Sequence, residues 1–254
     1  YPLSGFYDTT YINSSSTFDS LSTRSFDNTL RFDFQAGREG RFRLGGGVGI
    51  RNEIRRYSQI VPLSDTPGSD TAVWHKSNNV LLGRLINDIG ESFHWTARGE
   101  LYISGYRAGD FDLNGVITKS FDLPKGTALW EITGGVMNRQ PSFWYEQWGG
   151  NNIKWDRTLK KEFRIDAGTR FSFPARGTWL RLNYAVIDNY TDFGKDALPS
   201  QHTGGLSVVS LLAHKDFRVW KLHLDNDLLF QESSNTDVLD LPLFTVRSAF
   251  YFEH

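Results

Sequence analysis

Hydrophobic and polar positions alternate strictly along much of this chain. From Phe163 to Phe173 the odd positions are Phe163, Ile165, Ala167, Thr169, Phe171 and Phe173, and the even ones between them are Arg164, Asp166, Gly168, Arg170 and Ser172. A period of two is a β-strand with one apolar and one wet face, because successive side chains point to opposite sides of a sheet. Pro174-Ala175-Arg176-Gly177 reads as a turn. Beyond it Leu180, Leu182, Tyr184 and Val186 alternate with Arg181, Asn183 and Ala185, so the two runs form a hairpin. Phe171, Phe173 and Trp179 are read as aromatics of the apolar face near the turn, with Tyr184 and Tyr190 further along.

The same pattern recurs on both sides of this hairpin. Leu30, Phe32 and Phe34 alternate with Arg31, Asp33 and Gln35. Phe42, Leu44, Val48, Ile50 and Ile54 oppose Arg41, Arg43, Arg51, Glu53 and Arg55. Phe93, Trp95, Ala97, Leu101 and Ile103 oppose His94, Thr96, Arg98, Glu100 and Tyr102. Strands follow near 111–121 and 130–139, then at 206–213, 217–230 and 244–252. Residues 1–12 are taken as a first strand. Residues 73–88 are taken as a strand of muddled parity, since Val80, Leu81, Leu82, Leu85 and Ile86 fall on both faces. The expected total is about 12 antiparallel strands, and no helical periodicity runs long enough to define a helix.

An apolar stripe opposite a charged one fits two settings. A soluble sandwich or barrel turns the stripe inward, whereas a transmembrane barrel turns it toward lipid and its charges toward a watery lumen. Loop lengths separate the two. Connections near residues 38, 89, 124, 175 and 215 are short, those near 20, 65, 148, 197 and 235 are mostly long, and the two kinds alternate, with 108–110 the one short member of the long class. Short reversals at one rim and long loops at the other are the signature of an up-and-down transmembrane barrel. The fold expected is therefore all-β, an antiparallel up-and-down transmembrane β-barrel, in one domain over residues 1–254.

Composition changes this picture little. The 254 residues contain no run of eighteen apolar positions, so no spanning helix is expected, and a spanning strand of alternating residues escapes averaged hydropathy. A formal charge of -1 gives no drive toward nucleic acid. With Cys at 0 there is neither a disulfide framework nor a thiolate metal site. The chain starts at Tyr1 without a basic, apolar leader and has Met at 1, which reads as a processed or partial product.

The second half resembles the "putative porin" family of Bacteroidota outer membranes. The likeness lies in Asn151-Asn152-Ile153-Lys154 entering a strand and in Leu182-Asn183-Tyr184 running on to Asn189-Tyr190 and Phe193. It continues through Leu198-Pro199-Ser200-Gln201, Lys221-Leu222-His223-Leu224-Asp225-Asn226 with Gln231, Val238-Leu239-Asp240-Leu241-Pro242 and Tyr251-Phe252. It covers about 150–254. The resemblance implies an outer-membrane barrel acting as a porin, with no assigned substrate. Such families run on for several strands past the position of His254, so the chain is either a shorter variant or a segment of a larger barrel, and the segment is the reading taken.

The lumen-facing candidates are Arg31, Arg41, Arg43, Arg51, Arg98, Glu100, Arg164, Asp166, Arg170, Arg181, Lys221, His223, Asp225, Asp227 and Arg247. Rings of such charge set selectivity in a pore, and the arginine excess favours anions; the bland alternative is a salt-bridged, packed interior. Phe143, Trp144, Tyr145, Trp148 and Trp155 are read as an aromatic belt at the outer interface or as a docking loop. His223 shares a parity with Asp225 and Asp227, and Ser200 lies near His202. No nucleophile elbow or H-E-x-x-H accompanies them, so no catalytic residue and no enzyme activity is assigned. No metal or other cofactor is expected. Gly45-Gly46-Gly47 is not a phosphate loop, because no Lys-Ser/Thr follows. The expected function is passive passage of small solutes through a charged aqueous lumen in the bacterial outer membrane. The alternative is a structural or assembly barrel anchoring a larger outer-membrane complex. Partners would be outer-membrane lipid and other outer-membrane proteins or further copies of the chain, not nucleic acid.

Overall fold

In the computed structural model, residues 9–38, 42–63, 68–89 and 92–253 are described. The alternating stretches form β1 (Leu21–Arg38), β2 (Phe42–Pro62), β3 (Ser69–Ile89), β4 (Phe93–Gly105), β5 (Phe111–Leu123) and β6 (Gly126–Arg139). After a single helical turn α1 (Phe143–Glu146) come the short strands β7 (Gln147–Gly149) and β8 (Lys154–Asp156). The series then resumes with β9 (Glu162–Phe173) and β10 (Thr178–Asp188). A small hairpin of β11 (Tyr190–Phe193) and β12 (Pro199–His202) precedes β13 (Leu206–Val219), β14 (Leu222–Ser233) and β15 (Phe244–Phe252).

Eleven of these strands make one antiparallel meander in the order β1-β2-β3-β4-β5-β6-β9-β10-β13-β14-β15, while β7-β8 and β11-β12 are separate pairs. The sheet is not closed by pairing of β1 with β15. The fold is all-β and up-and-down, the wall of a barrel. Eleven strands replace the expected twelve: of the first strand read at 1–12, residues 1–8 lie outside the described residues and 9–12 are not in a strand.

Register places the alternating residues in continuous rows. Leu85, Ala97, Gly115, Gly134, Ala167 and Tyr184 share one row of the apolar face. The row Arg84, Arg98, Asn114, Gly135, Asp166 and Ala185 lies next to it on the polar face. A one-residue slip anywhere would exchange the two faces, so the pattern itself fixes the pairing.

What is buried is inverted relative to a soluble protein. The buried apolar residues among those described are Val80, Tyr102, Ala128, Phe143, Ile187 and Leu206, outnumbered by buried Glu53, Gln59, Asn78, Asn87, Asp110, Asn151, His223 and Ser233. Phe171, Leu182 and Leu222 do not meet in a sealed interior; they are 49%, 44% and 38% exposed within a face that also bares Leu113, Ile132, Ile165 and Leu180. Water does not tolerate so large a contiguous apolar surface, but hydrocarbon does. Near the short turns this face ends in Phe121, Trp130, Phe171, Phe217, Phe250 and Phe252, the aromatic girdle of an interface. The Trp130 indole N–H, which lipid could not satisfy, donates to Thr169 Oγ1 at 2.7 Å.

Strand lengths follow the same logic. β9 and β10, with 12 and 11 residues, have about the length a bilayer crossing requires. β2 and β3 have 21 each and extend well past it. The long connection expected near 65 is therefore shortened, β2 running to Pro62 and β3 starting at Ser69, because above the bilayer both faces are wet and a strand need not alternate. The expected turn at 214–216 is also displaced, since β13 continues to Val219 and reverses in two residues, Trp220 and Lys221, with Trp220 at φ 59.

Candidate functional site

The polar face of the wall is a lattice of paired charges. Arg51 donates through Nη1 and Nη2 to both carboxylate oxygens of Glu100, at 3.1 and 2.7 Å, reaching across β3 to do so. Its Nε donates to Glu53 at 2.9 Å. Arg55 joins Asp27 and Glu53, Arg139 pairs with Asp112 at 3.1 Å, and Arg164 approaches Asp166 at 3.4 Å. Arg31 pairs with Asp33 over Gly47, where a Cβ would collide with the Asp33 carboxylate. These arginine–carboxylate contacts, bidentate at Arg51 and Arg55, hold the side chains against the wall.

The connection at 140–161 folds back over this face. Phe143 is buried and stacks on Tyr57 at 4.3 Å between ring centroids, with Trp74 at 5.3 Å and Trp144 at 5.3 Å. Tyr57 has the parity of Glu53 and Arg55, so the contact is on the polar side. Trp144 reaches Thr23 on β1, and Gly149 N–H donates to the buried Gln59 at 3.1 Å. Trp148 and Trp155 stack at 5.6 Å, and Tyr145 and Trp155 meet Phe193 of the small hairpin at 5.0 and 5.8 Å. The five aromatics thus pack over the polar face rather than forming a belt on the apolar one. A loop that must cover a wet wall hides its rings in its own cluster.

Polar groups tie the loop down. Asn151 is buried; its Oδ1 accepts from the N–H groups of Ile12 and Asn13, and its Nδ2 donates to Asn13 O and Thr17 Oγ1. Tyr106, between β4 and β5, donates to the Glu146 carboxylate. Burial, and after it this carboxylate, hold the Tyr106 hydroxyl well above the ordinary tyrosine range. Asp110, also buried, takes Arg107 at 2.7 Å and Lys161 at 2.8 Å.

At the short-turn end, His214 and His223 each sit between two carboxylates. His214 Nδ1 lies 2.8 Å from Asp227 and 3.3 Å from Asp225, with the ring stacked on Trp179 at 5.3 Å. His223 faces Asp216 at 3.4 Å and Glu253 at 3.1 Å and stacks on Tyr251. The ligand atoms of His214, Asp225 and Asp227 lie within 4.8 Å of one another, a one-imidazole, two-carboxylate set of the kind that can hold a divalent cation. Sequence spacing grouped Asp225 and Asp227 with His223; cross-strand pairing of β13 with β14 supplies His214 instead.

Of the other predicted lining residues, Arg31, Arg51, Arg98, Glu100, Arg164, Asp166, Arg170, Arg181 and Arg247 occupy polar-face register positions. Arg41 lies outside the described residues, and the side chain of Arg43 does too. Lys221 lies in the two-residue turn, its ammonium over the rings of Trp220 and Phe252, and is not part of the polar wall. Trp179 is on the polar face, under Arg170 at 4.7 Å, not on the apolar one. Arg84, Asn78 and Gln59 line this side as well and were passed over, the first two because they stand in a strand whose alternation is blurred and Gln59 because its stretch of β2 reads as loop.

An antiparallel wall with a lipid-compatible outside, a charged inside and loops gathered at one rim defines a β-barrel of the outer-membrane type. A family model described as "Putative porin" matches residues 3–254, and the chain belongs to that family. The match reaches well beyond the half that carried the resemblance in sequence. No curated protein and no solved structure matches the chain.

Proposed function

We propose that the chain forms the wall of an outer-membrane pore through which small solutes pass passively, with the loop at 140–161 narrowing its outer mouth. The family supports a porin-like role, and a pore acts through width and charge rather than through a reacting side chain. The observation that carries the reading is the stacking of Phe143 on Tyr57, which turns a long aromatic loop inward over the charged face while the opposite face stays bare. Outer-membrane lipid is the partner that face requires.

Planar-bilayer recording of the purified protein tests this. Current steps of one reproducible unit size are expected. A protein that inserts but never conducts, and that copurifies with other outer-membrane proteins, would instead make the chain an anchoring subunit.

A further inference from the structure

From the pairing of charges on the polar face, we infer that Arg84 and Arg98 form an oxyanion-binding site that receives a carboxylate or phosphate group. The two arginines are direct register partners on β3 and β4. Arg31, Arg51, Arg55, Arg139 and Arg164 each have a carboxylate within 4.0 Å, but Arg84 and Arg98 have none among the described residues. Glu100, two positions along β4 from Arg98, is turned to Arg51 through both its oxygens and lies in no ion pair with either arginine. The Nε of Arg84 is moreover buried without a hydrogen-bond partner.

Like charges placed directly opposite each other in a sheet are destabilising, and a buried donor left unpaired costs more. An oxyanion held between the two guanidiniums would offset both costs. Guanidinium forks match the two-oxygen edge of a carboxylate or phosphate. The space is present: a cleft of about 410 Å³ is lined by Arg31, Arg51, Arg84, Arg98 and Glu100, with Gly47 and Gly49 removing side-chain bulk from the facing strand. This is a volume suited to a small organic anion. A second like-charged pair, Arg170 and Arg181, differs because both guanidiniums already lie over the Trp179 ring, at 4.7 and 6.0 Å. The place of this site in transport rests on the pore reading above; anion binding does not.

The test uses purified protein in detergent at low ionic strength, titrated calorimetrically with inorganic phosphate and separately with succinate. The variants are R84Q/R98Q and a charge-matched control, R55Q/R139Q, which removes two arginines that are already paired and lie outside the cleft. Wild type and control are expected to bind, with affinity falling at least tenfold in R84Q/R98Q alone. Binding of phosphate only marks a phosphoryl ligand, and binding of succinate a carboxylate one. The inference is overturned if wild type binds neither probe, if R84Q/R98Q binds like wild type, or if the control loses as much. Reversal potentials in a potassium chloride gradient add a separate arm, with anion preference expected to drop severalfold in R84Q/R98Q. A protein without current removes the pore reading and leaves the titration to decide the site. A conducting R84Q/R98Q with unaltered preference removes the site's role in passage.

Discussion

Replacing Phe143 by Ala tests whether the loop at 140–161 is held over the polar face by its aromatic contacts. The ring is 3% exposed and has Tyr57, Trp74 and Trp144 within 5.3 Å between centroids. Truncating a buried Phe costs about 3–5 kcal/mol, and the lower figure suits a cluster at the edge of water. A loss of about 3 kcal/mol shifts the balance between docked and released loop by roughly a hundredfold. The cost falls on the loop and not on the barrel, because the eleven-strand ladder shares no hydrogen bonds with Phe143. The variant is therefore expected to fold and to resist unfolding like wild type, while its loop becomes a faster tryptic substrate at Arg157 and Lys160. In planar bilayers its unit current should rise and its open-channel noise increase. A variant with wild-type digestion, noise and unit current would show that Phe143 does not hold the loop, and the constriction would have to be abandoned.

The assignment of faces predicts that Leu182→Arg, on the apolar face, costs about 2–4 kcal/mol in vesicle-refolding titrations, whereas Ser210→Arg, near the same height on the polar face, costs little; equal costs would contradict the assignment. Unpaired like charges predict that Arg84→Gln stabilises the barrel by up to about 1 kcal/mol in phosphate-free buffer, read as a higher denaturation midpoint, and a lower midpoint would count against the repulsion. Tyr106 has its proton affinity raised by folding, so its contribution to loop docking is complete below the ordinary tyrosine pKa of about 10 and is lost as pH climbs through its own higher value. Absorbance titration should show one tyrosine ionising later than the rest, and Tyr106→Phe should abolish that late step.

How much of this was legible in the sequence depends on where each residue stands relative to the bilayer. Within the hydrocarbon layer one face must be apolar and the other can be wet, and there the alternation at 93–104 and 163–186 located strands and faces correctly, with Trp179 the exception. Beyond it the constraint lapses. The outer ends of β2 and β3 carry Ser58, Gln59, Pro62, Ser69 and Asp70, which look like loop residues and are strand residues beyond the hydrocarbon layer. At the opposite rim His214-Lys215-Asp216 imitates a turn. His214 and Asp216 point to the polar face, while Lys215 alone is on the apolar one, resting its ammonium over Phe217 and donating to Arg176 O at 2.5 Å. The blurred parity at 80–86 has a local origin too: Val80, Leu82 and Ile86 lie on the polar face, opposite Arg51 and the small Gly49 and Gly45, where β2 offers bare backbone for apolar side chains to cover.

The parts that bear most on the proposed pore were the least legible, and the reason is physical. A strand declares its faces one residue at a time, but an inward-folded loop is defined by partners far away in sequence. Asn151 and Asn152 stood out as residues carrying a family likeness, yet nothing near them hints that Asn151 would bind the segment at 12–17 through both ends of its amide. The aromatics at 143–155 had the composition of an interfacial belt, and only the position of Tyr57 on the charged side of β2 shows that they face the other way. Charge pairing behaves likewise, since counting arginines indicates a sign but not which of them are already neutralised. Arg51 and Arg98 look equivalent in sequence, but Arg51 reaches across β3 to Glu100 while Arg98 has no carboxylate within 4.0 Å among the described residues. Selectivity in such a wall is set by the charges that register fails to pair, and register is a property of the whole sheet.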